Sequence, residues 1–175
     1  MYGLAHVLFP LAAVIFGHQD INAHGKAHKH INQQIDKGGS GTNCRKGAAA
    51  GNGQIRIVDG DMETIMAGLA CGEPNTISWD ILKNHVKVFI AAPDWVAANG
   101  MRMLGAPIKG DAPVTSGESG AAPFGALAAV MTMDEYKNLR NDIGLDASSK
   151  VLLFSTEGDT DPDRYKNIVW KGLDK

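Results

Sequence analysis

The sequence predicts an α/β layer fold, and three observations carry that prediction. Glycine makes up 21 of 175 residues, about 12% against an ordinary value of roughly 7%, so many junctions need tight turns or close backbone approach. Short runs rich in β-branched residues, such as Gln54–Val58 and Lys87–Ala92, are bounded by small or turn-forming residues. Between them lie stretches with apolar residues at helical spacing, giving the order strand, helix, helix, strand, helix. Hydrophobic residues are 44% and charged residues 21% of the chain, which excludes a disordered or collagen-like polymer. Seventeen basic side chains against nineteen acidic ones leave a formal charge of −2, so no global basic field exists to hold nucleic acid or an anionic membrane. Two cysteines, Cys44 and Cys71, are too few for a disulfide scaffold.

A seam lies near residue 50. Residues 1–50 hold two acids, five Lys or Arg and five of the six histidines, whereas the remainder is acidic by five charges. Met1–Gly17 is an apolar run broken by Pro10, His18–Gln34 is polar and histidine-rich, and Gly38–Gly53 is dominated by small residues. The apolar run is too short to span a bilayer, which takes about 20 residues. It also lacks the basic start and the A-x-A pattern of a secretion signal. His24 and His28 would share a helical face, but Gly25 lies between them and no carboxylate or cysteine completes a ligand spacing, so no metal site is expected. Residues 1–50 read as an unmatched basic leader, either disordered or translated out of frame, followed by a domain over 53–175.

In that domain Gln54–Val58 alternates as a short strand. Met62–Ala70 follows as a helix with Ile65, Met66 and Leu69 on one side and Gly60 or Asp61 at its cap. Ser78–His85 is a second helix, Lys87–Ala92 a buried strand, and Pro93 opens a helix to about Leu104. The window Ser116-Gly-Glu-Ser-Gly then runs into an Ala- and Gly-rich helix with Pro123 in its first turn. The free N–H groups at such a helix start suit an anion or a polar ring, and equally a tight turn packed on a neighbouring helix. Met133–Ile143 is an amphipathic helix with Asp134 as N-cap and Gly144 as terminator, and Lys150–Ser155 is an apolar core strand. Asp161-Pro-Asp163 caps a closing helix through Trp170. In open α/β sheets ligands bind beyond the carboxyl ends of strands, which singles out the loop Thr156–Asp161.

Three blocks in order, M-A-G-L-A-C-G-E-P-N (Met66–Asn75), S-G-E-S-G-A (Ser116–Ala121) and L-F-S-T-E-G-D-T-D (Leu153–Asp161), closely resemble the diaminopropionate ammonia-lyases. These are pyridoxal-phosphate enzymes of the tryptophan-synthase-β-like fold, type II, and the resemblance runs from about Gly53 to Gly172. It implies a three-layer α/β sandwich of which this chain carries the C-terminal portion. The implied reaction is a β,α-elimination that converts 2,3-diaminopropionate to pyruvate and two ammonia molecules. It further implies a cytoplasmic homodimer whose partner molecule is an amino-acid substrate, with no role for nucleic acid, membrane or metal.

The resemblance also assigns residues. A hydroxyl after the last core strand contacts the pyridine nitrogen in related dehydratases, and the matching position is Thr156, with Ser155 as the alternative. Gly68, Glu118 and Ser119 fall in blocks that line the cofactor. Against these stand plainer readings: Gly68 as a packing glycine, Glu118 as a solvated acid, Ser119 as a helix cap. The family's Schiff-base lysine block and phosphate loop have no counterpart before Gly53, so no catalytic residue is assigned and this chain by itself is expected to be an inactive, truncated form. Other readings are a serine/threonine dehydratase-like lyase and a non-catalytic fragment that dimerises or binds metal.

Overall fold

The computed structural model describes residues 12–16, 63–70, 75–77 and 88–174. The expected strand Gln54–Val58 and helix Ser78–His85 lie outside the described residues, as do all six histidines and both cysteines.

Strand β1 (Ala12–Phe16) lies parallel to β2 (Val88–Ala92), with Ala12 opposite Val88 and Phe16 opposite Ala92. The second strand is the one expected from Lys87–Ala92, and the apolar stretch of the leader supplies its neighbour. Pro93 is the N-cap of helix α1 (Asp94–Gly105), in extended backbone at φ −72° and ψ 164°, one residue earlier than the expected first-turn position. Helix α2 (Glu118–Thr132) starts after Gly117. Pro123 is therefore in its second turn, where the missing N–H withholds the bond that would close on the Ser119 carbonyl.

The core is the crossing of α1 with α2. Val96, Ala97 and Met101 meet Ala121, Ala122 and Ala126, all nearly or fully buried, with Ile65, Met66, Ala92 and Ile168 around them. Alanine and glycine let the two backbones approach closely: a β-carbon on Gly125 would fall 1.9 Å from the Val96 carbonyl oxygen. At that point the two backbones leave no room for a β-carbon between them.

Beyond α2 the expected continuous helix divides. A 3₁₀ turn at Asp134–Tyr136 precedes helix α3 (Lys137–Ile143), whose N-cap is Tyr136, so Asp134 is not the cap. The reason is Arg140, which reaches back to the carbonyls of Val130 and Met133 at 2.6 and 3.0 Å and binds the end of α2 to the start of α3. Gly144 ends α3 in the left-handed region at φ 72°, as expected. Helix α4 (Pro162–Val169) is capped by the Asp161 side chain, which accepts from the Arg164 N–H at 3.0 Å. Its Ile168 is fully buried, and Arg102 of α1 donates to the Ile168 carbonyl at 3.0 Å and to that of Leu173.

Two further expectations fail. Residues 63–70 form no regular helix, only a 3₁₀ turn at Ala67–Leu69. Asp94 captures the backbone instead, accepting from the Thr64 hydroxyl at 2.5 Å and the Ile65 N–H at 3.2 Å, and so holds Met66 into the core as a loop. Lys150–Ser155 is not a core strand. No strand pairs with it among the described residues, and Val151, Leu152 and Phe154 are exposed, Leu152 by 78%. A strand is defined by its neighbour's hydrogen bonds, and with no such neighbour among the described residues this apolar run is uncovered.

Candidate functional site

The candidate site is built where the segment Ser155–Gly158 crosses the N-terminus of α2. Glycine makes the crossing. A β-carbon on Gly117 would lie 2.3 Å from the Gly158 carbonyl oxygen, and one on Gly120 would lie 2.7 to 2.9 Å from Ser116, Glu157 and Ser155 atoms. The Gly117 N–H donates to the Glu157 carbonyl at 2.9 Å, and the hydroxyl oxygens of Ser116 and Ser155 lie 2.7 Å apart. Ser116 is fully buried.

One of the first-turn N–H groups of α2 is already taken by a carboxylate of the protein itself. The Ser119 N–H donates to the Glu157 carboxylate at 2.7 Å, so the protein supplies its own anion where an empty anion cradle was one expectation. Ser119 is not the cap, since Gly117 holds that position with extended backbone. Its hydroxyl oxygen is buried with no hydrogen-bond partner among the described residues, and a β-carbon on Gly68 would sit only 3.2 Å from it. A buried hydroxyl left without a partner is costly unless something else completes it.

Glu118 is no solvated acid. Its side chain is 11% exposed, and Oε1 lies 3.1 Å from Nε of Arg164, whose side chain is 47% exposed. That oxygen makes no hydrogen bond of good geometry, so the contact is ionic only. Burial pushes the Glu118 carboxyl above its usual range and Glu157 and Asp161 push the same way, while its own backbone N–H and Arg164 pull it down. An acid whose folded-state value is raised favours folding below its unfolded-state value, and that contribution is lost as pH climbs through the folded-state value. Replacing Glu118 by glutamine is therefore expected to flatten the decline in stability just above the ordinary carboxylate range, by less than about 1 kcal/mol given the hydrated partner. Urea midpoints of both proteins across that pH window check this, and parallel curves would refute it.

Of the residues singled out from sequence, the structure gathers Gly68, Glu118, Ser119 and Ser155 around the start of α2. The Ser155 hydroxyl is engaged by Ser116. Thr156 is exposed and makes no hydrogen bond among the described residues. Glu157 and Ser116 were not singled out from sequence. Both lie in blocks that carry the family resemblance, and Glu157 also falls in the loop Thr156–Asp161, directly after the hydroxyl residues Ser155 and Thr156. No group of three or more His, Cys, Asp or Glu side chains could hold a metal ion among the described residues. No described helix is long and apolar enough to cross a membrane.

No family model matches the chain. Among curated proteins it is 54% identical over 132 residues to a diaminopropionate ammonia-lyase of Salmonella typhimurium, which covers 74% of this chain and 33% of the relative. It is 51% identical over 120 residues to the enzyme of that name from Escherichia coli, covering 69% of this chain and 30% of the relative. Among solved structures it is similar to Escherichia coli diaminopropionate ammonia-lyase in complex with an aminoacrylate-PLP azomethine reaction intermediate. That similarity has a TM-score of 0.67 at 44% identity and covers 76% of this chain and 33% of that one. The same enzyme in complex with D-serine also gives a TM-score of 0.67. Over the matched stretch the chain is homologous to the diaminopropionate ammonia-lyases, and it spans about a third of their length.

Proposed function

We propose that this chain is part of a pyridoxal-phosphate-dependent carbon–nitrogen lyase that takes 2,3-diaminopropionate and water to pyruvate and two ammonia molecules, and that it forms the wall of the cofactor site. The observation that carries the reading is the unpartnered buried hydroxyl of Ser119 facing Gly68, in a segment homologous to enzymes of that name. The donor set fits the cofactor: neutral hydroxyls at Ser119, Ser155 and Thr156, a side-chain-free surface at Gly68, and a carboxyl at Glu118 suit a polar aromatic ring. When bound, pyridoxal phosphate supplies the electron sink that lets an amino acid lose its α-proton and then its β-amino group. Thr156, whose hydroxyl is free, is the partner for the ring nitrogen, with Ser155 as the alternative. Such a neutral partner leaves the nitrogen unprotonated, which favours elimination over transamination. Ser119 and Gly68, which adjoin each other, would line the same wall beside the ring, and Glu118 is kept nearby by Arg164.

The architecture belonging to this reading is a three-layer α/β sandwich shared by a homodimer in the cytoplasm. Residues 1–50 are read as an unmatched leader to it, of which Ala12–Phe16 pairs with β2; the coding DNA for them, read in its other two frames, should reveal family sequence if they are out of frame. The family's lysine block has no counterpart in this sequence, so the isolated chain mixed with pyridoxal phosphate is expected to show no absorbance band near about 410 nm that borohydride can fix. The decisive experiment grafts residues 53–172 into the matching stretch of the Salmonella relative. A chimera that shows the cofactor band and forms pyruvate from diaminopropionate supports the reading. A chimera with the band that acts on serine alone favours a dehydratase, and one with the band but neither activity overturns the proposal.

A further inference from the structure

Glu157 lies in the third of the sequence blocks, but the cofactor reading gives it no role. Its side chain accepts the Ser119 N–H at 2.7 Å, and its backbone carbonyl accepts the Gly117 N–H at 2.9 Å. One residue thus holds α2 from both its side chain and its main chain. The neighbouring charges divide cleanly. Glu118 is ion-paired with Arg164, and the Asp161 side chain caps α4 by accepting from the Arg164 N–H. Glu157 has no cationic side chain in ion-pair contact among the described residues. Its counter-charge is the positive end of α2, worth about half an elementary charge over a 15-residue helix.

A helix start with free N–H groups attracts phosphate. Here a carboxylate already occupies that position and adds a negative charge that repels a second anion. The absence of side chains at Gly117 and Gly120 is what lets Glu157 lie this close to the helix start, since a β-carbon on Gly117 would fall 2.8 Å from the Glu157 Cγ. We infer that Glu157 is a positioning residue that fills the positive end of α2 with the protein's own charge, excluding phosphate from it and reserving this end of the site for the uncharged ring of a phosphorylated cofactor. The exclusion stands on the geometry alone, and the ring as occupant rests on the proposed function.

The test uses the full chain, ¹⁵N-labelled, with inorganic phosphate as the first probe and pyridoxal, which lacks phosphate, as the second. Amide signals of Gly117, Glu118 and Ser119 are followed in wild type, Glu157→Ala and Glu157→Gln. The expected result is that phosphate leaves the wild-type signals unmoved and shifts them in both variants, more in Glu157→Ala, because glutamine still accepts the Ser119 N–H but carries no charge. Loss of a merely structural cap would weaken protection of these amides without creating phosphate binding. Phosphate shifts in wild type as large as in the variants, or none in either variant, would overturn the inference. If Glu157→Ala loses its helical circular dichroism, Glu157→Gln decides by the same criterion. Pyridoxal is expected to shift the Ser119 signal in wild type. Its failure to do so, with the phosphate pattern intact, would remove the ring as occupant and leave the exclusion standing.

Discussion

Replacing Gly125 by alanine is expected to destabilise the protein by about 3 kcal/mol, in the upper part of the range for overpacking a close-packed contact. The new β-carbon would lie 1.9 Å from the Val96 carbonyl oxygen and 3.2 Å from a Val96 methyl. The first of these is backbone and cannot rotate away. The only relief is to separate α1 from α2, which exposes Val96, Met101, Ala121 and Ala126 together. Native stabilities are about 5–15 kcal/mol, so the denaturant midpoint should fall by a large fraction of its value. Gly158→Ala is the control, because a β-carbon there meets nothing within 4 Å and the backbone is not left-handed. Equal midpoints for the two variants would show that the helix crossing is looser than described.

Gly117→Ala is expected to act on the site rather than on the core. Its backbone, at φ −73° and ψ −178°, suits any residue, so the effect is one of space alone. A β-carbon would press on the Gly158 carbonyl oxygen at 2.3 Å and on the Glu157 side chain at 2.8 Å, driving the 155–158 segment off the start of α2. The hydrogen bonds from Gly117 to the Glu157 carbonyl and from Ser119 to its carboxylate should be lost together, for a cost of about 1–3 kcal/mol. Native-state hydrogen exchange is the measurement: the Gly117 and Ser119 amides should lose protection while amides of α1 and α4 keep most of theirs. A uniform loss across the chain would mean that the crossing is part of the global core and not a local site element.

Both substitutions turn on contacts between residues far apart in sequence, and that separates what was legible in the sequence from what was not. Strand β2, helices α1, α2 and α4 and the end of α3 could be read because their signals are local. Pro93 stands before α1, Asp161 and Pro162 start α4, Gly144 ends α3, and apolar spacing marks the buried faces. The three blocks that resemble the diaminopropionate ammonia-lyases were legible for a different reason. Small residues and hydroxyls recur there in an order that packing alone would not impose.

The failures share one cause. Thr64–Met66 has the composition of a helix, but Asp94, some thirty residues later, captures its backbone. Val151–Phe154 has the composition of a core strand, but strand formation needs a neighbour that the described residues do not provide. The Met133–Ile143 helix is divided because Arg140 reaches back across its start.

The sequence by itself determined the class of fold, the order of the elements around α1 and α2, and the kinship of the segment that follows the leader. These depend on periodicity, on caps and on residue identities that are fixed within a few positions of the chain. Only the tertiary structure decided that Glu118 is buried against Arg164, that Ser119 is left with an unpartnered hydroxyl beside Gly68, and that the Glu157 carboxylate accepts the Ser119 N–H at the start of α2. The Ser119 to Glu157 bond spans 38 residues. Charge and hydrogen bonding act through space, and which carboxylate meets which N–H is settled only when the glycines at 117 and 120 let two segments touch.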